Sequence, residues 1–292
     1  MRTPRPTALA GPLAGLLVAT AALAACAPVD EADTGSDGGE AAASCEPGEL
    51  LTITDGTLTV ATDTPAYPPY FVDDDPTNGE GFESAVAYAV AEELGFSDDD
   101  VTWVEVPFDN SYAPGPKRFD FDINQISITP EREQAVDFSE GYYTATQAVV
   151  VLEDGAPEIG SLDDLAGLEL GAQSGTTSLT AIRDAIQPDE DPLVFKNTNA
   201  ATQALQNGQV EAIVADLPTA LYITAAQLDG GVVAGQFEYA GEQAEEFGLL
   251  LEKGNPLTTC VDEAVTALRE DGTLDGLEQE WLSESVDVPV LQ

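Results

Sequence analysis

Apolar segments of strand length alternate with segments of helical periodicity from residue 57 onward, and this alternation limits the fold more than any other feature. LTVAT (58–62) is typical of a buried strand. FESAVAYAVAEELG (82–95) has apolar residues at helical spacing and ends on a glycine, which favours a helix C-terminus. Further strands are predicted at 101–107, 121–128, 147–153, 168–173, 193–197, 210–216 and 247–254. Further helices are predicted at 161–167, 175–186, 199–208, 217–227, 258–272 and 273–284.

This order of elements predicts an α/β protein. Strand–helix–strand alternation produces mostly parallel sheets that are flanked by helices. The elements fall into two successive sets, so we expect two α/β lobes, with the last strand and the last two helices returning to the first lobe. No segment repeats at a fixed period.

The charge of the chain excludes several classes of function. Its 292 residues include 54 acidic and nine basic residues, and the formal net charge is −45. Nucleic acid phosphates would be repelled, and no basic patch is expected to dock on an anionic membrane surface. The chain has no histidine, which removes most zinc sites and every histidine-based triad. We expect no metal and no cofactor. Such acidity suggests a high-salt habitat, where charge repulsion is screened.

The N-terminus has the pattern of an export signal. Arg2 and Arg5 precede an apolar stretch at 8–22, which is short for a membrane span. The stretch leads into Leu-Ala-Ala-Cys, which resembles a bacterial lipoprotein signal with residues 1–25 removed and Cys26 lipidated. An ordinary secretory signal beside a cysteine is the alternative. Residues 26–50 are mostly acidic and small, and we expect them to form a disordered tether.

Two more cysteines, Cys45 and Cys260, remain in the exported chain. Export leads to an oxidising compartment, so we expect these two residues to form a disulfide. Two unpaired buried thiols are the alternative.

Three stretches between about residues 57 and 282 are specific in sequence. The first is LTVATDTPAYPPYF with GEGFESAVAYAVAEELG, and the second and most specific is FDFDINQISITPEREQAVDFSEGYY. The third is LELGAQSGTTS, joined further on by VEAIVADLPTALY. Together they resemble the family 3 solute-binding proteins of amino-acid ABC transporters. The resemblance implies a two-lobed periplasmic-binding-protein-like type II fold, with lobe 1 at 51–145 and 245–287 and lobe 2 at 146–244. Hinge crossovers are expected near 144–147 and 239–246.

The resemblance also implies a site for a free amino acid, whose two charges must both be paired when it leaves water. Arg132 would hold the carboxylate through its planar fork of donors, helped by Ser127 and by Thr177 from the other lobe. Asp216 would accept from the ammonium group. The alternatives are a surface arginine offset by nearby acids, an N-capping role for Thr177, and a helix-capping role for Asp216.

Five more residues are expected at the side-chain end of the ligand. Asp63 would select donors, which points to glutamine or to a basic amino acid such as arginine or lysine. Tyr67 and Phe108 would sandwich the stem of the ligand, and the alternative for both is that of a plain core aromatic. Gln125 and Gln173 would contact the side chain of the ligand and help to recognise it. NSYAPGPKR departs from the family because its prolines and glycine predict a broken or short helix near this pocket.

The function expected is that of a lipid-anchored, monomeric receptor on the outer face of the membrane, which delivers an amino acid to a permease. The main alternative is a cyclohexadienyl or arogenate dehydratase enzyme, since a few such enzymes resemble this fold. A site of that kind needs a carboxyl group with a tuned pKa beside the leaving group. A sensor of the same fold is a further alternative, and it would need a transmembrane helix and a signalling domain.

Overall fold

A computed structural model describes residues 44–154, 156–239, 244–282 and 288–292 of the chain. The strands are β1 (Leu58–Thr62), β2 (Val101–Glu105), β3 (Phe121–Asp122), β4 (Val136–Ala145), β5 (Gln147–Leu152), β6 (Leu170–Gln173), β7 (Leu193–Phe195), β8 (Ala212–Asp216), β9 (Gly231–Phe237) and β10 (Glu245–Glu252). The α-helices are α1 (Phe82–Glu93), α2 (Phe108–Ser111), α3 (Thr177–Ala181), α4 (Thr198–Gln206), α5 (Leu217–Tyr222), α6 (Thr258–Glu270) and α7 (Thr273–Trp281). Wider π turns prolong α3 and α5 through Ile182–Ile186 and Ile223–Gln227.

The strands form two five-stranded sheets. The first sheet has the order β2-β1-β3-β10-β4 and the second has the order β7-β6-β8-β5-β9. In the first sheet β10 is antiparallel to both of its neighbours, and in the second sheet β5 is antiparallel to both of its neighbours. The other four strands of each sheet therefore run in one direction, which confirms the predicted α/β class with mostly parallel sheets.

Each sheet has its own apolar core. Phe82 and Val86 of α1 pack with Val261 of α6 on the first sheet, where all three side chains are fully buried. The second sheet is covered on both faces, one by the α3 region and the other by α4 and α5. This separation explains why the sequence contains two successive sets of alternating elements.

A disulfide joins Cys45 to Cys260 of α6, as the sequence predicted, with Cα atoms 5.3 Å apart. Residues 44–50, the last part of the predicted tether, thereby reach the first core, against which Cys45 and Leu50 both pack. Cys26 and the signal segment lie outside the described residues.

The chain passes between the sheets at both segments that were predicted as hinges. One residue, Thr146, separates β4 in the first sheet from β5 in the second. The passage from β9 to β10 leads back to the first sheet and includes 240–243, which lie outside the described residues. Hinge motion at these two segments stays a prediction.

The C-terminal residues 288–292 lie along β9 of the second sheet. Gln236 N–H donates to the Pro289 carbonyl at 2.8 Å, and Leu291 N–H donates to the Gln236 carbonyl at 2.8 Å. Leu291 is buried against the second core and fills the space over Gly235. Helix α7, by contrast, packs with the first sheet, so the end of the chain also bridges the two cores.

The predicted strand at 121–128 was wrong in length. Strand β3 ends at Asp122, because the chain then turns and Gln125 adopts a left-handed backbone with φ of +48°. The segment NSYAPGPKR has a short helix as expected, since α2 covers four residues. Strands β4 and β9 were not predicted. Within the described residues, no helix is both long and apolar enough to span a membrane.

Candidate functional site

A cavity of about 60 Å³ lies between the two sheets. A water molecule needs roughly 10–15 Å³ on this measure, so the space accommodates several waters or part of a small ligand. All nine ligand-binding residues predicted from the sequence line it: Asp63, Tyr67, Phe108, Gln125, Ser127, Arg132, Gln173, Thr177 and Asp216. The first and the last of them, Asp63 and Asp216, are 153 residues apart in sequence, and the fold brings them to one cavity. Ligand contact by each of them stays a prediction.

Arg132 is a buried cation at the junction of the two sheets, with 7% of its surface exposed. Its Nη1 donates to the Ser127 carbonyl at 2.6 Å, and its Nη2 donates to the Gly175 carbonyl on the other side of the cleft at 2.9 Å. The guanidinium stacks over the rings of Tyr112 and Phe108, with its carbon 4.9 Å and 5.6 Å from their centroids. Burial lowers the pKa of Arg132 from its ordinary value.

No carboxylate among the described residues lies within 4.0 Å of this guanidinium. Asp137, one of the acids near Arg132 in the sequence, pairs instead with Lys253 at 2.8 Å. Arg132 therefore combines burial, contacts with both sides of the cleft and spare N–H donors, which suits recognition of an external carboxylate.

The start of α3 faces Arg132 and Ser127. Thr176, not Thr177, caps this helix, since its Oγ1 accepts from Leu179 N–H at 3.1 Å. The N-capping alternative for Thr177 is therefore wrong. The hydroxyl oxygen of Thr177 lies 3.2 Å from that of Ser127, and the two residues belong to opposite sides of the cleft.

A chain of hydrogen bonds runs from Asp216 to Ser127 through two residues that sequence reasoning missed. Gln147 Nε2 donates to Asp216 Oδ1 at 2.9 Å and to Glu245 Oε2 at 3.0 Å. Ser127 Oγ donates to Glu245 Oε1 at 2.6 Å. Burial and then the charge of Glu245 raise the pKa of Asp216 well above its ordinary value.

Asp216 occupies the N-cap position of α5, but its side chain makes no capping bond. The helix-capping alternative is therefore wrong, and the carboxylate is directed to Gln147 and the cavity. The only sequence signal for Gln147 was a polar residue at the head of an apolar strand. Glu245 carried no signal in a chain with 54 acids.

The opposite end of the cavity holds acceptors and buried donors that have no partner among the described residues, including the Tyr67 hydroxyl. Asp63 accepts from the N–H groups of Thr64 and Phe108 at 2.7 Å and 3.2 Å, and burial raises its pKa. Asn124 was also missed by sequence reasoning. It is buried, lines the cavity, and leaves its Nδ2 donor without a partner among the described residues. Gln173 is fixed differently, because its Oε1 accepts from the N–H and hydroxyl of Thr198.

Gln125 lines the cavity and is hydrogen-bonded to Glu83 of α1, which is fully buried and does not line the cavity. Its backbone N–H donates to Glu83 Oε1 at 2.7 Å, and its side-chain Nε2 donates to Glu83 Oε2. Tyr142 also donates its hydroxyl to this carboxylate. Burial raises the pKa of Glu83 to about 7, although these three donors partly oppose the effect.

Two α/β lobes with a polar cavity between them define a ligand-binding protein of the two-lobed, periplasmic-binding-protein-like class. Residues 58–284 match the model of the bacterial extracellular solute-binding proteins, family 3, and the chain belongs to that family. Among the described residues, no group of three or more acidic or cysteine side chains is placed to hold a metal ion.

Known relatives agree with this class. The chain is 29% identical to the L-cystine-binding protein TcyJ of Escherichia coli (strain K12), over 82% of this chain and 85% of the relative. It is 33% identical, with a TM-score of 0.64, to an ancestral arginine-binding protein bound to arginine, over 77% and 98% of the two chains. It is 34% identical, with the same TM-score, to an ancestral amino-acid-binding protein described as a precursor of cyclohexadienyl dehydratase, over 77% and 95%.

Proposed function

We propose that this chain is the substrate-binding receptor of an ABC importer. It captures one free amino acid, polar or basic, such as glutamine, arginine or lysine, between its two lobes and delivers it to a membrane permease. The observation that carries this function is the buried guanidinium of Arg132, which contacts both sides of the cleft and has no carboxylate of the described chain within 4.0 Å.

The polarity of the cavity supports a zwitterionic ligand. Arg132 lies at one end with the hydroxyls of Ser127 and Thr177, and Asp216 supplies an acceptor for an ammonium group. A buried charge without a partner is costly, so a ligand that brings a carboxylate and an ammonium group stabilises the closed lobes. Asp63 adds an acceptor for a donor on the ligand side chain.

Calorimetry and thermal-shift measurements against the twenty amino acids test this function. At least one polar or basic amino acid should raise the melting temperature of the wild-type protein. Arg132→Ala should weaken its binding by at least about 100-fold, because a buried charge pair is worth roughly 3–5 kcal/mol when one partner is removed. Arg118→Ala, at an exposed arginine, is the matched control. Retained affinity in Arg132→Ala would refute the role of Arg132.

We infer that the chain is a receptor and not an enzyme. One ancestral neighbour is described as a precursor of a dehydratase, so the alternative has a direct test. Incubation with prephenate and with arogenate should give no turnover above the uncatalysed rate, whereas measurable product would establish the enzyme class instead.

The proposed function includes a lipid anchor at the membrane and a division of the chain into two lobes. Lipidation of Cys26, which lies outside the described residues, would anchor a monomer to the outer face of the membrane. Lobe 1 would comprise 51–145 and 245–287, and lobe 2 would comprise 146–244. Mass spectrometry of the mature N-terminus distinguishes a lipidated Cys26 from the alternative, an ordinary secretory signal, and Cys26→Ser should release the protein from membranes.

A further inference from the structure

Glu83 does not line the cavity, yet it controls a side chain that does. It is the second residue of α1 and has no exposed surface. Its carboxylate receives the backbone N–H and the side-chain Nε2 of Gln125, together with the hydroxyl of Tyr142. Two of its three donors thus belong to one residue of the cavity wall.

These contacts fix both the backbone and the side chain of Gln125. Its φ of +48° is a left-handed conformation that costs a non-glycine residue free energy, and the bond from its N–H to Glu83 stabilises it. An ionised carboxylate offers acceptors alone, so the side-chain amide must turn its NH2 group toward Glu83. One N–H of this amide is thereby used, and its carbonyl oxygen, which accepts from no described residue, is left as an acceptor for a ligand.

We propose that Glu83 is a positioning residue that makes Gln125 a hydrogen-bond acceptor in the cavity, so that the site selects amino acids whose side chains donate. The neighbouring Asn124 adds a buried donor without a described partner. A carboxamide side chain, which both donates and accepts, complements this pair of residues. This inference rests on the proposed amino-acid-binding function and adds the side-chain chemistry of the ligand.

The isosteric variant Glu83→Gln reverses this polarity. An amide at position 83 places an NH2 group opposite the NH2 group of Gln125, so Gln125 must rotate its amide to accept from it. The cavity then meets a donor where the wild-type protein presents an acceptor. A ligand that donates to Gln125 loses a hydrogen bond, and a ligand that only accepts gains one.

L-Glutamine and L-methionine sulfoxide are suitable probes, because both have uncharged side chains of similar length and the sulfoxide only accepts. At about pH 8, above the pKa of about 7 of Glu83, calorimetry should show that the wild-type protein prefers glutamine. Glu83→Gln should lower the ratio of the two affinities about tenfold, which corresponds to about 1.4 kcal/mol. A ratio of affinities does not depend on the fraction of folded protein.

Two further variants separate positioning from a general structural effect. Glu83→Gln combined with Gln125→Glu should restore the preference for glutamine, because the amide at position 83 then donates to a carboxylate whose second oxygen faces the cavity. Glu92→Gln, at an exposed acid on the same helix, should leave the ratio unchanged. An unchanged ratio in Glu83→Gln, or no recovery in the double variant, would overturn the proposal.

Nuclear magnetic resonance provides a readout without ligand. The side-chain NH2 protons of Gln125 should exchange slowly with water in the wild-type protein and much faster in Glu83→Gln, and equal rates would contradict the assigned contact. If an amino acid whose side chain has no donor binds and neither probe does, the inferred selectivity is wrong while the receptor function stands. If no amino acid binds, the proposed function itself is wrong.

Discussion

Raising the pH should weaken the folded state through Glu83. Burial raises the pKa of this carboxyl group from an ordinary 4.5 to about 7, because its ionised form is poorly solvated in the core. Between these values the folded protein binds more protons than the unfolded chain, so the free energy of unfolding falls as the pH rises. The two pKa values differ by about 2.5, and at about 1.36 kcal/mol per unit this residue alone removes about 3 kcal/mol by about pH 8.

Urea denaturation of the wild-type protein and of Glu83→Gln, at about pH 5 and about pH 8, measures this contribution. Roughly 1 M salt in all samples screens the repulsion of the acidic surface. Burial also raises the pKa of Asp122 and of Asp216, and this burial effect is common to both proteins. The charge of Glu83 raises both pKa values further, so its loss in the variant changes the comparison in the same direction as the loss of Glu83 itself. The wild-type protein should lose about 3 kcal/mol more than the variant. Equal losses in the two proteins, or a larger loss in the variant, would refute the reasoning.

Two other substitutions test how the two lobes meet and how the chain ends. Gly175 has φ of +73°, and a Cβ there would lie 2.1 Å from Tyr112 Oη and 2.5 Å from Asp109 Oδ1. Gly175→Ala should therefore weaken amino-acid binding about tenfold in calorimetry, or about 1.4 kcal/mol, because Tyr112 and Asp109 must move before the cleft closes. Full affinity would contradict this contact. Leu291→Ala should lower the free energy of unfolding by about 2–5 kcal/mol in chemical denaturation, because Leu291 is buried over Gly235. A loss below about 0.5 kcal/mol would show that the C-terminal contact is not stabilising.

Elements with strong local periodicity were predictable from the sequence. Strand β1 and helix α1 have the expected positions, because a run of buried apolar residues and apolar residues at helical spacing are each visible within a few residues of sequence. The strand at 121–128 was predicted too long, since the left-handed turn at Gln125 depends on a carboxylate 42 residues away. No local pattern reports such a contact.

The candidate site also contains residues that the sequence predicted and residues that it did not. The residues expected at its two ends came from motifs that resemble a family, and the structure gathers all of them around one cavity. Glu83, Gln147 and Glu245 were missed, because their roles depend on partners 42 to 118 residues distant. In a chain with 54 acids, neither Glu83 nor Glu245 differs in composition from a solvated surface residue.

The contacts of the last residues determine which sheet a fluorophore at the C-terminus would move with. Leu282 packs with the first core, and Leu291 packs with the second. The Cα atoms of Leu282 and Val288 are six residues apart, so at about 3.6 Å per residue their distance cannot exceed about 22 Å, with or without a bound ligand. A fluorophore fused to the C-terminus should consequently move with the second sheet. With a second dye on α1, the distance between the two dyes, measured by energy transfer, would report opening and closing of the cleft.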